Sequence, residues 1–549
     1  MIRSLQFFGR SPLRLLAIAG LLPTSLFLAA RAAVAADWGQ EQVSRDFQQT
    51  LTLGAGQSLR IEHKFGGIKL HGESGREVKI SATIRAQASS HEEAESFAQK
   101  IKIEVQQTSE GVSIRTVYPE EERKWFRFSK SSSWSVNYDI GLPSDAAIYV
   151  RNSFGGVEIS GVHGASDVEN GYGTLTVRDA GAGKWVNAFG TVDLAGAAGN
   201  VSVTTTNSSV QVSDVKGNLE VRNRFGSITT RNIQGSATLN GGNGTVTLTD
   251  AGSANITTSF GSVEARNIRG DLFIHDNNGN IEFSNIAGAA DVTDSFGNIT
   301  FTDVKGRLNC TTSNGRVKGS SVQGNSVTIH DSFGNIELDT ISGALDAGTS
   351  NAKITVRDAR GSVTLKTSFG ALEAFNIPKG IRAVSENGSI TLNDIGGDAY
   401  AKTSFGSVLA ERINGNLTVE NTNGSVTARN VKGDAGVRTS FAGVTLDAIG
   451  GRINVDNQNG AVSVTANRSS SGCRDILLKT SFSSIHARIP DGLGYNLTAR
   501  TSFGRINSEL PVTATGSMGS DSLSGTIGSG GCQLQLTNSN GSIEIAKTQ

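Results

Sequence analysis

The chain has 549 residues, with 50 Lys+Arg against 50 Asp+Glu and no formal net charge, so its charge balance marks no nucleic-acid or anionic-membrane partner. Gly supplies 67 residues and Pro only 7, which excludes collagen-like and Pro-rich designs. A chain of this length is either several ordinary domains or one long repeat.

Residues 1–36 read as a signal peptide. Arg3, Arg10 and Arg14 form a basic start, and no acidic residue precedes Asp37. Leu15 to Ala30 is apolar, and Ala33-Val34-Ala35 and Val34-Ala35-Ala36 both fit a small-residue cleavage site. The apolar run is short of the roughly 20 residues of a spanning helix, and Pro23 and Arg31 weaken the alternative of an uncleaved anchor. The expected protein is exported, to the periplasm, the cell surface or the medium, with no integral membrane segment after signal removal.

Residues 37–150 read as an N-terminal capping region of α+β character. Phe65-Gly66-Gly67-Ile68-Lys69-Leu70 looks like one repeat unit, but no second follows it directly. Ser90-His91-Glu92-Glu93 starts a short helix over about 91–101. Ile101 to Val105, Val112 to Val117 and Val136 to Leu142 read as strands. The end of a stacked-strand fold needs a cover. Trp125, Phe126, Phe128 and Trp134 are its expected apolar members, with a ligand patch as the alternative.

Residues 151–466 carry a regular repeat. Phe-Gly recurs from Phe154 to Phe405, with Phe441-Ala442 and Phe482-Ser483 as variants and a further copy at Phe503; from Phe154 to Phe441 the steps are 35 to 37 residues. Halfway between stand Asn243, Asn278, Asn314, Asn387, Asn423 and Asn459, usually followed by Gly. The unit is therefore about 18 residues, with Phe and Asn alternating in one column. With Phe405 as position zero, apolar residues fall at −6 and −4 (Ala399, Ala401), +3 and +5 (Val408, Ala410) and +8 (Ile413), and Gly stands at +1 and +10. Paired apolar positions two apart are strand signals. A unit this short cannot bury its apolar face alone, so the units must stack at the strand spacing of about 4.8 Å. The −2 column is polar, as in Asn223, Thr258, Thr403 and Asn421, and predicts a side-chain ladder that satisfies turn backbone groups. The core columns do not follow the six-residue period of left-handed β-helices, and parallel crossovers are right-handed in most cases. The expected fold is all-β: a right-handed parallel β-helix, or β-solenoid.

Residues 467–549 read as irregular C-terminal coils with inserted loops over about 467–474 and 511–531, emerging at one corner two coils apart. One Cys lies in each loop, Cys473 and Cys532. An exported protein can oxidise this pair to a disulfide, provided the loops reach across about 10 Å; two separate thiols are the alternative. Cys310 falls in a core column and reads as a buried thiol.

Few residues suggest chemistry. His275 and His330 share a coil position but stand three coils apart, roughly 14 Å, too far to hold one metal. Asp276, Asp294 and Asp331 fall in the −2 column. Neighbouring carboxylates there fit a calcium site or an acid/base pair, but equally members of the polar ladder. Near-uniform coil length leaves little loop for a catalytic cleft. No catalytic, cofactor-binding or metal-binding residue is expected.

The signal peptide, the Phe-Gly-Gly-Ile-Lys-Leu unit and its insert, the Ser-Phe-Gly-x-Val and Asn-Gly-x-Val repeats, and the ending in Gly-Thr-Ile-Gly-x-Gly-Gly and Asn-Gly-Ser-Ile-Glu-Ile together resemble the bacterial putative-adhesin domain family. The resemblance covers most of residues 50–549 and implies an exported β-solenoid with an adhesin-like envelope or surface role. It supplies no site residues. The expected function is a non-catalytic binding or scaffolding rod, with Thr/Ser/Asn-rich faces that meet glycan or protein partners. A β-helical polysaccharide lyase or hydrolase and a periplasmic partner-binding element are the alternatives.

Overall fold

The structure, a computed structural model, describes residues 41–119, 133–467, 472–515 and 519–548. The signal-peptide segment and Trp125, Phe126 and Phe128 lie outside them. The protein is a β-solenoid of about 18 turns with parallel bridges about 18 residues apart, and it is nearly all β. The register follows the period: Val363 pairs with Ile381 and Leu372 with Ile390. Val363, Leu365, Leu372, Ala374 and Ile377 are buried, as are their equivalents in the next coils. Alternating residues point outward, so one continuous aliphatic core runs along the rod. Cys310 sits in that core as a buried free thiol, in register with Val292 and Ile329.

Three devices turn the chain at its corners. At the first, the −2 side chain is buried and ties the turn together. Asn421 accepts from the Thr422 and Gly424 N–H groups at 2.6 and 3.2 Å and donates to the Gly424 and Gly406 carbonyls at 2.7 and 3.0 Å. In most coils Gly stands at +1, close against the backbone of the preceding coil. A Cβ on Gly406 would lie 2.0 Å from the Gly388 carbonyl oxygen. At the second corner, position +7, the backbone is left-handed in coil after coil, as at Asn376, Asp394, Arg412, Asn430 and Ala448. This bend returns the following apolar residue to the core. Asn and Asp tolerate it best, and here they also bond between coils: Asn232 donates to Asp214 at 2.7 Å and Asn285 to Asn267 at 2.8 Å. The third corner, near +10, uses side-chain oxygens to hold the next coil's backbone. The N–H groups of Asn416, Asp434 and Arg452 donate in turn to Asp398, Asn416 and Asp434 at 2.8–2.9 Å.

The ends do not follow chain order. Ser58–Phe65 pairs in parallel with both Gly111–Val117 and Ala147–Phe154, and Ile68–Glu73 pairs with both Ser133–Pro143 and Val157–Ser160. The first coil of the chain therefore lies second in the stack. The opposite end mirrors it: Cys532–Thr537 pairs with both Ile476–Lys479 and Tyr495–Arg500, and Ile543–Lys547 with both Ile485–Ile489 and Ile506–Ser508. The last coil of the chain is second from the other end. Antiparallel strands cover the outermost edges: Lys102–Thr108 lies on Gly111–Val117, Glu77–Ala88 on Ser133–Pro143, and Ser522–Ile527 on Tyr495–Arg500. The one helix among the described residues, His91–Lys100, is capped by Ser90 and packs on the Glu41–Thr52 and Glu77–Ala88 strands. Trp134 stacks on Phe97 of that helix and meets Phe65 edge-on.

Cys473 and Cys532 form a disulfide. The expected two-coil gap between their loops is corrected by the swapped order: Cys532 opens the coil directly beside the one that Cys473 precedes, and their Cα atoms are 5.8 Å apart.

Candidate functional site

The column at position zero emerges on the surface. Phe260, Phe296, Phe333, Phe369, Phe405, Phe441 and Phe482 are 57–64 % exposed, and Phe503 is 79 % exposed. Each ring sits at the tip of the first corner, where the −2 side chain is buried beneath the turn and the residue at +1 is small: Gly in most coils, Ala442 and Ser483 in two. The Phe405 N–H donates to the Glu386 carbonyl and the Phe441 N–H to the Thr422 carbonyl at 3.2 and 2.9 Å. The alternating Asn residues make that backbone bond and add a side-chain bond, as from Asn387 to Ser368 and Asn459 to Ser440 at 3.2 and 3.1 Å. Asn thus closes its turn, and Phe leaves its ring in solvent.

The alternation holds in space where the sequence breaks it. Chain order at the C-terminal end runs Phe482, Phe503, Asn540. The swapped coil places Asn540 between the two rings: its N–H bonds the Ser481 carbonyl at 2.8 Å, and the Phe503 N–H bonds the Ser539 carbonyl at 2.8 Å. Two coils separate successive rings, about 9.6 Å.

The first coils differ. Phe65, Phe154, Tyr172 and Phe189 stand on consecutive coils and stack without interruption at 5.5, 5.0 and 4.7 Å. Offset aromatic stacking is favourable at this spacing, so one ring per coil is affordable. From Asn207 onward the column alternates.

The other candidates lie elsewhere. Asp276, Asp294 and Asp331 are buried beneath the first corner, with one oxygen of each held by backbone N–H groups of the turn at 2.6–2.8 Å. They face no open cleft. Burial raises the carboxyl of each, Asp294 to about 6, with the Asp276 charge adding to that rise. His275 and His330 are exposed and three coils apart. Among the described residues no three His, Cys, Asp or Glu side chains gather as a metal set. An open hollow of about 750 Å³ beside Phe333 is lined by Asn298, Asn314, Arg316, Lys318 and Asn335.

Sequence reasoning used the Phe column as a repeat marker and assigned contact to the polar faces. The signal for an exposed ring was present: from Phe260 onward most of these Phe residues stand between Ser and Gly, in a turn rather than a strand.

No family model and no curated protein matches the chain, so the resemblance to the adhesin-domain family stands on its motifs. One solved structure found by similarity is a putative cell adhesion protein from Clostridium sporogenes ATCC 15579. It is 7 % identical, and 53 % of this chain covers all of that one at a TM-score of 0.15, a likeness too low to bear on function.

Proposed function

We propose that the protein is a non-catalytic, adhesin-like binding rod of the bacterial envelope or surface, and that its Phe corner is the contact surface. The observation that carries this reading is the regular row of exposed rings, one on every second coil. Single exposed apolar residues are ordinary, whereas a repeated, aligned set of large exposed rings rimmed by polar residues marks an interaction site. Each ring offers a small contact. A partner with its own repeat engages many at once, and avidity rather than one deep pocket supplies the affinity.

A second copy of the chain is the alternative partner, and one observation favours it. Rings on consecutive coils stack at 4.7–5.0 Å in the first coils, so each gap over an Asn is one ring wide. A facing Phe column has the right pitch to fill every gap. With aromatic side chains of about 150–250 Å², such a comb approaches the roughly 800 Å² per partner of a standard interface.

The test is binding of the full chain to arrayed polysaccharides and intact bacterial cells, with sedimentation velocity on the protein alone. Deleting coils in pairs should weaken binding progressively. A single pair whose loss abolishes it points to a discrete site instead. Cleavage of any polysaccharide that stops with Asp276→Asn or Asp294→Asn would overturn the non-catalytic reading.

A further inference from the structure

We infer that Asp276, Asp294 and Asp331 fill the first-corner slot as neutral carboxylic acids, each donating its proton to a backbone carbonyl, so that the centre of the rod is held more tightly in mildly acidic than in alkaline solution.

The argument rests on what the slot requires. In several other coils its occupant is a donor to the carbonyl of the preceding coil: the Thr403 hydroxyl to Gly388, the Asn421 amide to Gly406 and the Asn457 amide to Ala442, at 2.9–3.0 Å, whereas the Thr258, Thr312 and Thr439 hydroxyls are buried there without a partner. The carboxyls occupy the same place. A Cβ built on Gly460 would lie 2.1 Å from the Ala442 oxygen and 2.8 Å from the Asn457 Nδ2; on Gly279 it would lie 2.3 Å from the Gly261 oxygen and 2.7 Å from the Asp276 Oδ2. Asp294 and Asp331 repeat this beside Gly297 and Gly334. The Oδ2 atom of an Asp therefore stands where Asn carries its NH₂, facing carbonyl oxygens. All three Oδ2 atoms are buried without a partner, and the residues are 0, 3 and 7 % exposed. An ionised carboxylate only accepts, so it leaves oxygen against oxygen; a protonated one has the missing donor. A calcium ion would want about six or more oxygen ligands, in a slot that a single hydrogen bond spans in the coils of Thr403, Asn421 and Asn457.

The charged surroundings are sparse. His275 acts on Asp276 and Asp294, Asp276 acts on Asp294, and His330 precedes Asp331 in sequence. The same slot in adjacent coils holds Thr258, Thr312 and Thr349, which are uncharged. Burial is the largest cause of the upward shift at all three, and Asp294 reaches about 6. An unfolded Asp ionises near 3.9. The folded state therefore binds more protons between those values, and stability present below about pH 4 is lost as pH rises through the folded value. For Asp294 alone, two units correspond to about a hundredfold change in the opening equilibrium.

The experiment uses the full chain and D276N/D294N/D331N, which keeps in the slot the amide donor that Asn421 and Asn457 supply there. Infrared spectra at about pH 5 should show protonated-carboxyl absorption in the wild type that the triple variant lacks. Hydrogen exchange, corrected for intrinsic rate, should show the coils around residues 263–341 opening more readily at about pH 8 than at about pH 5 in the wild type, but equally at both in the variant. Coils 408–466 serve as the internal control. Absence of that absorption from the wild type, or the same pH response in both proteins, overturns the inference. So does calcium that protects the wild type but not the variant at alkaline pH, which would make the slot a cation site.

Discussion

Thr340 holds a left-handed backbone, φ 54°, at a corner where most coils place Asn or Asp. A β-branched residue is the poorest tenant of that region, and the conformation costs an ordinary L-residue about 1–2 kcal/mol. Thr340→Asn should therefore stabilise the protein by about 1 kcal/mol, read as a raised midpoint in denaturant; an unchanged or lowered midpoint would show that the Thr340 hydroxyl's 2.5 Å bond to Asp339 outweighs the strain. His63 makes a prediction of opposite sign to the buried aspartates. It lies under the N-terminal cover, bonded through Nδ1 to the Thr116 hydroxyl at 3.0 Å, with no partner for Nε2. Burial lowers its pKa from 6.5 to about 4. Its neutral form is the stable one, so its contribution is complete above about pH 6.5 and is lost as pH falls through 4, worth about 3 kcal/mol for a shift of this size. His63→Gln should flatten the acid limb of a pH–stability curve for the first coils. An acid limb of unchanged slope would remove His63 as its cause.

At the scale of the coil, strength is local. Val419 is buried and pairs with Ala401 and Val437 on either side. Val419→Asp places an unpaired charge in the core at a cost of several kcal/mol. Hydrogen exchange should show the loss within the neighbouring coils and leave distant ones protected, since solenoid stability is largely a nearest-neighbour sum; collapse of the whole chain would contradict that. The disulfide acts on one element, the inserted last coil. Cys532→Ser should loosen the coils from about residue 476 onward by roughly 2–4 kcal/mol without touching the first half of the rod, as limited proteolysis would report. The coil itself was legible in the sequence because residues such as Val363, Leu365, Leu372 and Ala374 repeat one chemistry in one place. The left-handed corner was not, because Asn376, Arg412 and Ala448 share a conformation but no chemistry. The end order was hidden for a different reason: the stacking neighbour of Ser58–Glu73 comes not 18 residues later but after a detour through the helix and cover strands.

As a whole, the molecule is a rod of roughly 90 Å, about 18 turns at the strand spacing, with the first and last coils of the chain inserted inside the stack. Neither the first nor the last coil can peel away without breaking parallel pairing on two sides, so fraying, the usual weakness of a solenoid end, is directed to the covered outer coils. Along that stack the Phe corner carries a ring on every coil from Phe65 to Phe189 and on every second coil from Phe225 onward. The exposure of the column was missed in sequence because Phe is ordinarily a core residue, and only the turn around it says otherwise. The most direct test replaces the rings with the residue that alternate coils already carry. Phe369→Asn, Phe405→Asn and Phe441→Asn, made singly and then together in the full chain, should leave thermal unfolding close to that of the wild type. Binding to polysaccharides, cells or a second copy should fall stepwise with each ring removed. Unchanged binding in the triple variant, complete loss from any single replacement, or a wild type that binds none of these would contradict the account.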